Sequence, residues 1–354
     1  VSEIPDFSQI IRSPLFIYGA EKQSVCCNLC PGNCLIKSGS FGACGVRGNK
    51  SGTAIIPFYG FITALAMDPI EKKPLYHFRP ASQILSLGFS GCNLHCPFCQ
   101  NWRISQSKNV SGTHGRWMKS GEIVSSALGN DASSIAYTYS EPLVHAEYLL
   151  DCMALAHKHG IANVLVTNGC VNSEAAAEIL KNTDAANIDL KSFSAETYSN
   201  VLGGNLETVL EFIELACKMG VHVEITTLVV PDLNDSEEEL SAAADFIASL
   251  DFAGSPPPWH LSAYRPEYHW NAPPTDAKFL LHIAKEARKK LPFVYTGNIA
   301  IGNDNAGIND TCCSNCGAVL IKRQGYSVEL CAIPSAEEKM YKCAKCGTCS
   351  NIHC

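Results

Sequence analysis

Nineteen cysteines in 354 residues constrain this chain more than any other feature, because most of them fall into three tight zones. The first zone holds Cys26, Cys27, Cys30, Cys34 and Cys44. The second holds Cys92, Cys96 and Cys99. The third holds Cys312, Cys313, Cys316, Cys331, Cys343, Cys346, Cys349 and Cys354. Cys152, Cys170 and Cys217 lie between the second and third zones, in apolar surroundings, and read as small core residues. In a short secreted protein such density would mark a disulfide framework. Here the chain is long, and residues 1–11 carry acidic groups and a proline where a secretory leader would be basic and then apolar. The spacing within each zone is that of metal ligands. Metal or iron–sulfur binding in a reducing cytoplasm is therefore expected.

Composition narrows the classes further. Hydrophobic residues make up 46% and charged residues 17%, which supports a real core and argues against a disordered chain. The formal net charge of -7 disfavours a protein held to nucleic acid through phosphate contacts. No apolar run approaches the ~18 residues of a membrane span.

Between residues 84 and 298 the pattern alternates short apolar runs with helical stretches. Strands are expected at 84–88, 134–139, 163–167, 185–190, 222–230, 259–263 and 293–296. Helices are expected at 121–128, 143–159, 173–180, 206–219, 236–250 and 275–290. Ser236 with Glu239 reads as a capping box, and Thr275 as the cap of the last helix. Repeated strand–helix order means right-handed βαβ units and a parallel sheet, either a barrel or partial barrel or a doubly wound open sheet. Polar residues gather where these strands end: Tyr139-Ser140-Glu141, Thr167-Asn168-Gly169 and Asp189-Leu190-Lys191, with His260 in the sixth strand. Parallel α/β barrels draw their catalytic residues from that end.

The loop after the first strand carries Cys92-x3-Cys96-x2-Cys99. Three thiolates can hold three irons of a cubane and leave the fourth open to a ligand. The alternative, zinc on these cysteines and His95, suffers because His95 adjoins Cys96, which is poor geometry for a closed tetrahedral site.

Cys92-x3-Cys96-x-Phe98-Cys99 resembles the signature of radical S-adenosylmethionine (SAM) enzymes. Further stretches resemble pyruvate formate-lyase-activating-enzyme-like proteins, and within them the radical SAM component of the AmmeMemoRadiSam system. They include Cys27-Asn28-Leu29-Cys30-Pro31, Asp68-Pro69-Ile70-Glu71-Lys72-Lys73-Pro74, Cys99-Gln100-Asn101-Trp102 and Tyr137-Thr138-Tyr139-Ser140-Glu141-Pro142. The resemblance implies an α/β fold with a partial parallel (β/α)6 barrel. It also implies a [4Fe-4S] cluster whose open iron chelates the amino and carboxylate groups of SAM. One electron then splits SAM into methionine and a 5′-deoxyadenosyl radical that abstracts hydrogen, the cofactor carrying the hard chemistry. Carried over by position, Tyr139, Ser140 and Glu141 stand where the family has Gly-Gly-Glu beside the methionyl amino group. Two glycines are replaced here. Asn168 is placed for the ribose hydroxyls or the carboxylate, though Asn before Gly169 also reads as a turn. Asp189 and Lys191 match the family's Asp-x-Lys, the lysine being a natural carboxylate partner. His260 matches a late-barrel histidine near SAM; a hydrogen-bonded core histidine is the other reading.

The flanks suggest small Cys-rich lobes: 1–57 before a core of 58–310, and 311–354 after it. Cys313, Cys316, Cys343 and Cys346 form two C-x2-C-G knuckles, read as a zinc ribbon. Cys27, Cys30, Cys34 and Cys44 suit a structural zinc or an auxiliary cluster, with Cys26 competing for Cys27's place. Expected partners are a reductant such as flavodoxin or ferredoxin and a protein or peptide substrate, with no membrane or nucleic acid. An iron–sulfur electron carrier, or a zinc-ribbon nucleic-acid adaptor using Lys322, Arg323, Lys342 and Lys345, are the competing classes.

Overall fold

The computed structural model describes residues 15–106, 114–252, 254–300 and 307–354. Residues 1–14 and 302–306 lie outside the described residues.

Seven parallel strands follow one another in chain order: Gln83–Gly88, Ser134–Thr138, Ala162–Thr167, Ala185–Asp189, His222–Val229, Trp259–Ala263 and Val294–Gly297. Each pairs with the next. Spatial order equals sequence order, with no switch point, so the doubly wound alternative falls away. An eighth strand, Ala64–Pro69, runs antiparallel against Gln83–Gly88 and forms one edge, while Val294–Gly297 forms the other. The two edges do not pair among the described residues, so the barrel is partial. Ala64–Pro69 is only partly buried along most of its length and shows no strong alternation, which hid it from the pattern. The parallel strands, by contrast, are covered on both faces; all five residues of Ser134–Thr138 are buried.

Two caps differ from expectation. Ser236 accepts from the Glu239 N–H, but the Glu239 carboxylate accepts from the Ser192 hydroxyl and the Phe193 N–H, so only half of the capping box forms. Asp276, not Thr275, caps the last helix by accepting from the Lys278 N–H at 2.7 Å. The Thr275 hydroxyl instead donates to the Val229 carbonyl and accepts from the Tyr264 N–H, stitching two strand ends together.

Segment 70–82 plugs the floor, the N-terminal end of the barrel. Ile70, Leu75 and Phe78 pack on Ile84, Ala136 and Val164. Glu224, fully buried, accepts from the Tyr76 and His77 N–H groups and bonds His222 and His260. A buried carboxylate with four partners is satisfied, and it fixes the plug.

Before the barrel, strands Ile17–Gly19, Val25–Cys27 and Cys34–Ile36 form a small antiparallel sheet. Arg47 and Glu147, each 1% exposed, make a bidentate ion pair that pins this region to the helix Ala146–Lys158. After the barrel come two three-stranded antiparallel sheets. Arg323 reaches from them into the floor, donating to the Tyr76 carbonyl at 2.8 Å and lying 4.3 Å over the Tyr76 ring. The His353 backbone pairs with His77 and Arg79. This region therefore seals the end of the barrel opposite the cysteine loop, not its mouth. Among the described residues, no helix is long and apolar enough to cross a membrane.

Candidate active site

The cysteine loop leaves the first parallel strand through Gly91, which has φ +80. A Cβ there would sit 2.5 Å from the Cys44 carbonyl oxygen, so only glycine fits. The loop returns along one wall of a cavity of about 220 Å³. Cys92, Cys96, Phe98 and Cys99 line that cavity together with Tyr139, Ser140, Glu141, Asn168, Asp189 and Lys191. The strand ends thus deliver one polar group after another to the same space, as parallel order requires.

The sulfurs receive donors. The Leu94 N–H faces Cys92 Sγ at 3.3 Å, Asn168 Nδ2 lies 3.7 Å from the same sulfur, and the Ser105 hydroxyl is 3.2 Å from Cys99 Sγ. Burial pushes the Cys96 thiol up to about 11, against the pull of Lys191, and the Cys92 thiol well above its ordinary value. Such thiols ionise only when a cation compensates them, and iron would do so. His95 is exposed, with its Nδ1 beside Gln106 Oε1, and is absent from the cavity wall. The three-cysteine-plus-histidine zinc site is not formed.

Glu141 is 1% exposed. Its Oε1 accepts from the Thr167 hydroxyl at 2.6 Å and the Leu143 N–H at 3.1 Å, and its Oε2 from the Asn168 N–H at 2.8 Å. Burial nevertheless outweighs these donors and pushes its pKa up to about 7. Lys191 bonds Asp189 at 2.9 Å. Burial opposes its charge, but Asp189 and the Cys96 thiolate override that and hold it well above the usual lysine range. Asn168 combines its two sequence readings. Its Oδ1 accepts from the Cys170 N–H as in an Asx turn, while its Nδ2 donates to Asn93 Oδ1 at 2.9 Å and so ties the cysteine loop to the strand end.

Tyr139 has φ +70, a left-handed conformation that glycine adopts freely and tyrosine rarely does. The backbone here thus has a conformation that glycine would take without strain. The side chain is held by other means: its hydroxyl donates to Asp68 at 2.8 Å, and Lys73 Nζ sits 4.5 Å from the ring centroid. Asp68 also takes Lys72, Lys73 and the Ser86 hydroxyl. Burial works against its charge, but these donors lower its pKa below the usual carboxylate range. The Ser140 hydroxyl donates to the Phe89 carbonyl at 2.9 Å.

His260 is the one expected SAM-side residue that the structure puts elsewhere. It lies at the floor, 2.6 Å from Glu224 Oε2, with its ring edge-on to Tyr76. It lines a second cavity, about 940 Å³, beside the open seam of the barrel. Asn93, Asp68 and Lys73 support the site through distant partners, and no local spacing marks that role; Thr167, already placed among the polar strand ends, holds Glu141.

The C-terminal quartet converges. Cys313, Cys316, Cys343 and Cys346 have sulfurs all within 4.8 Å of one another, with pairs at 3.7 and 3.6 Å. A tetrahedron with metal–sulfur bonds of about 2.3 Å has edges of about 3.8 Å, so one ion fits. At the N-terminus Cys27 pairs directly with Cys34 across two strands, and Cys26 pairs with Leu35. Adjacent strand residues face opposite ways, which separates Cys26 from the set.

The family model of the radical SAM superfamily matches residues 87–244. An uncharacterized protein of Methanocaldococcus jannaschii is 38% identical over 339 residues, spanning 95% of this chain and 98% of that protein. The pyruvate formate-lyase 1-activating enzyme of Escherichia coli K12 is 30% identical over 169 residues, 46% of this chain and 67% of that one. The crystal structure of a domain of pyruvate-formate lyase-activating enzyme from Bacteroides vulgatus aligns with 20% identity and a TM-score of 0.40, over 47% of this chain and 99% of that one. The chain belongs to the radical SAM superfamily and is an enzyme of that type.

Proposed function

We propose that Cys92, Cys96 and Cys99 hold a [4Fe-4S] cluster, that SAM binds in the cavity beside them, and that the protein abstracts hydrogen from a partner protein, a peptide or a small molecule. The observation that carries this reading is the shared cavity: Cys92, Cys96 and Cys99 and the ionic groups of Glu141 and Lys191 line one space. When bound, the reduced cluster supplies the electron that cleaves SAM to methionine and a 5′-deoxyadenosyl radical. The chain's own residues bind and orient. Lys191, kept protonated by Asp189, pairs with the SAM carboxylate. Glu141 accepts from the SAM ammonium group, Ser140 and Asn168 line the path to the ribose, and Phe98 supplies an apolar wall.

Substrate access is favoured through the seam. The larger cavity shares Ser262 and Asn298 with the cluster cavity, so the two adjoin. Its volume of about 940 Å³ suits a peptide segment or a mid-sized molecule. Flavodoxin or ferredoxin would supply electrons in the cytoplasm, under anaerobic conditions. The spacing of the C-terminal sulfurs supports zinc there, in a lobe of residues 311–354 flanking a core of 58–310. Activation of a glycyl radical on a partner protein is the first reading of the substrate and modification of a peptide or small molecule the second; the Cys-rich flanks, which typical activases lack, weigh against the first.

The test is anaerobic incubation of the reconstituted protein with dithionite and SAM, followed by chromatography for 5′-deoxyadenosine. The wild type should form it and Cys96→Ala should not. Undiminished formation by Cys96→Ala would sink the assignment.

A further inference from the structure

The N-terminal cysteines form a third metal-ligand set, and its geometry differs from that of the C-terminal quartet. Cys27 and Cys34 stand opposite each other on paired strands. Cys30 lies in the loop between them. A Cβ added at Gly32 would be 3.6 Å from both Cys30 Sγ and Cys34 Sγ, so these sulfurs flank one small space. A Cβ at Gly42 would be 3.4 Å from Cys34 Sγ, which places the loop leading to Cys44 on the same side. Cys44, Cys27 and Cys34 all lie around Cys30.

The four sulfurs are near one another but not collapsed. Among the described residues, the C-terminal quartet is the one group of three or more ligand atoms that converges within 4.8 Å. Neither the N-terminal set nor Cys92, Cys96 and Cys99 converges that closely among the described residues. A single tetrahedral ion needs sulfur–sulfur edges of about 3.8 Å. A cluster with its own inorganic core holds its thiolates further apart.

Backbone donors also face these sulfurs. The Gly32 N–H faces Cys30 Sγ, the Ala43 N–H faces Cys34 Sγ at 3.5 Å, and the Val46 and Arg47 N–H groups face Cys44. The Arg47 side chain, 1% exposed, lies against Cys27. Hydrogen bonds to sulfur and a buried cation stabilise an anionic thiolate cluster and tune its potential.

We infer that Cys27, Cys30, Cys34 and Cys44 hold a second iron–sulfur cluster, not a zinc ion. It stands against the loop of the first one, because the Cys44 carbonyl packs onto Gly91, the residue before Cys92. The Asn172 side chain and N–H bond the Asn28 and Leu29 carbonyls, so the site is also fixed to a strand end at the barrel mouth.

The experiment removes the first cluster. A chain with Cys92→Ala, Cys96→Ala and Cys99→Ala is reconstituted anaerobically with ferrous iron and sulfide, desalted, and assayed for iron, acid-labile sulfide and zinc. The expected result is about four irons and four sulfides per chain. Adding Cys30→Ala should remove both, and adding Cys26→Ala should remove neither. Zinc without sulfide at this site, or iron and sulfide retained in the Cys30→Ala chain, overturns the inference. If circular dichroism shows the Cys30→Ala chain to be unfolded, the sulfide content of the triple variant decides alone. Loss of SAM cleavage plays no part in that readout, so failure here is distinct from failure of the proposed SAM reaction.

Discussion

Glu141→Gln should change stability in a direction that depends on pH. Burial raises the Glu141 pKa from 4.5 to about 7. At 1.36 kcal/mol per unit, folding disfavours the ionised carboxylate by roughly 3 kcal/mol. The folded state holds this proton more tightly than the unfolded state. The resulting stabilisation is therefore full below about pH 4.5 and is lost as pH rises through the window from 4.5 to 7. Glutamine cannot ionise and escapes that loss. Its amide oxygen can replace Oε1 and keep the Thr167 and Leu143 bonds, but its NH2 then faces the Asn168 N–H, which loses its acceptor. An orphaned buried donor costs about 1–3 kcal/mol at any pH. The variant should thus be less stable than wild type at pH 5. From pH 5 to 8 the difference should swing by roughly 2.5 kcal/mol in the variant's favour. Both proteins, with equal iron and zinc content, would be melted under anaerobic conditions at pH 5, 6, 7 and 8. A difference in Tm that stays constant across this range would refute the raised pKa and the burial argument behind it.

Further outcomes follow from other contacts. Lys191→Ala should weaken SAM binding ten- to hundred-fold, a loss of about 1.5–3 kcal/mol, with iron content intact; equilibrium dialysis measures it, and unchanged binding would give Lys191 another role. Glu147→Ala strands the buried Arg47 charge and should destabilise the N-terminal region by about 3–5 kcal/mol, read by denaturant titration of its hydrogen-exchange protection. Cys316→Ser should lose one bound zinc and the protection of residues 311–354, because so small a region depends on its metal. Deleting residues 311–354 should lower the Tm of the barrel itself, since Arg323 and His353 hold the floor; a barrel that melts unchanged would contradict that packing.

The barrel was legible because its strands are continuous apolar runs, and sequential pairing follows from βαβ units of one hand. The cysteine loop and the Tyr139, Glu141, Asn168 and Lys191 positions were legible because strand ends fall at one rim. Long-range contacts were not. Asp68, five residues from Lys73 and seventy-one from Tyr139, carries no local spacing that announces its role under the rim. Glu224 likewise gathers Tyr76, His77, His222 and His260 from separate segments. That network is why His260, at the right strand, faces the floor. The place of the C-terminal lobe depended on Arg323 finding Tyr76, 247 residues away in sequence.

The proposed chemistry requires that the three-cysteine cluster present an open iron to SAM. Electron–nuclear double resonance on the reduced protein tests it directly, using SAM labelled with 13C in the carboxylate and 15N in the amino group. Hyperfine coupling from both labels, lost in Cys96→Ala, is the predicted result. A reduced cluster whose spectrum shows no coupling to either label at saturating SAM would contradict it.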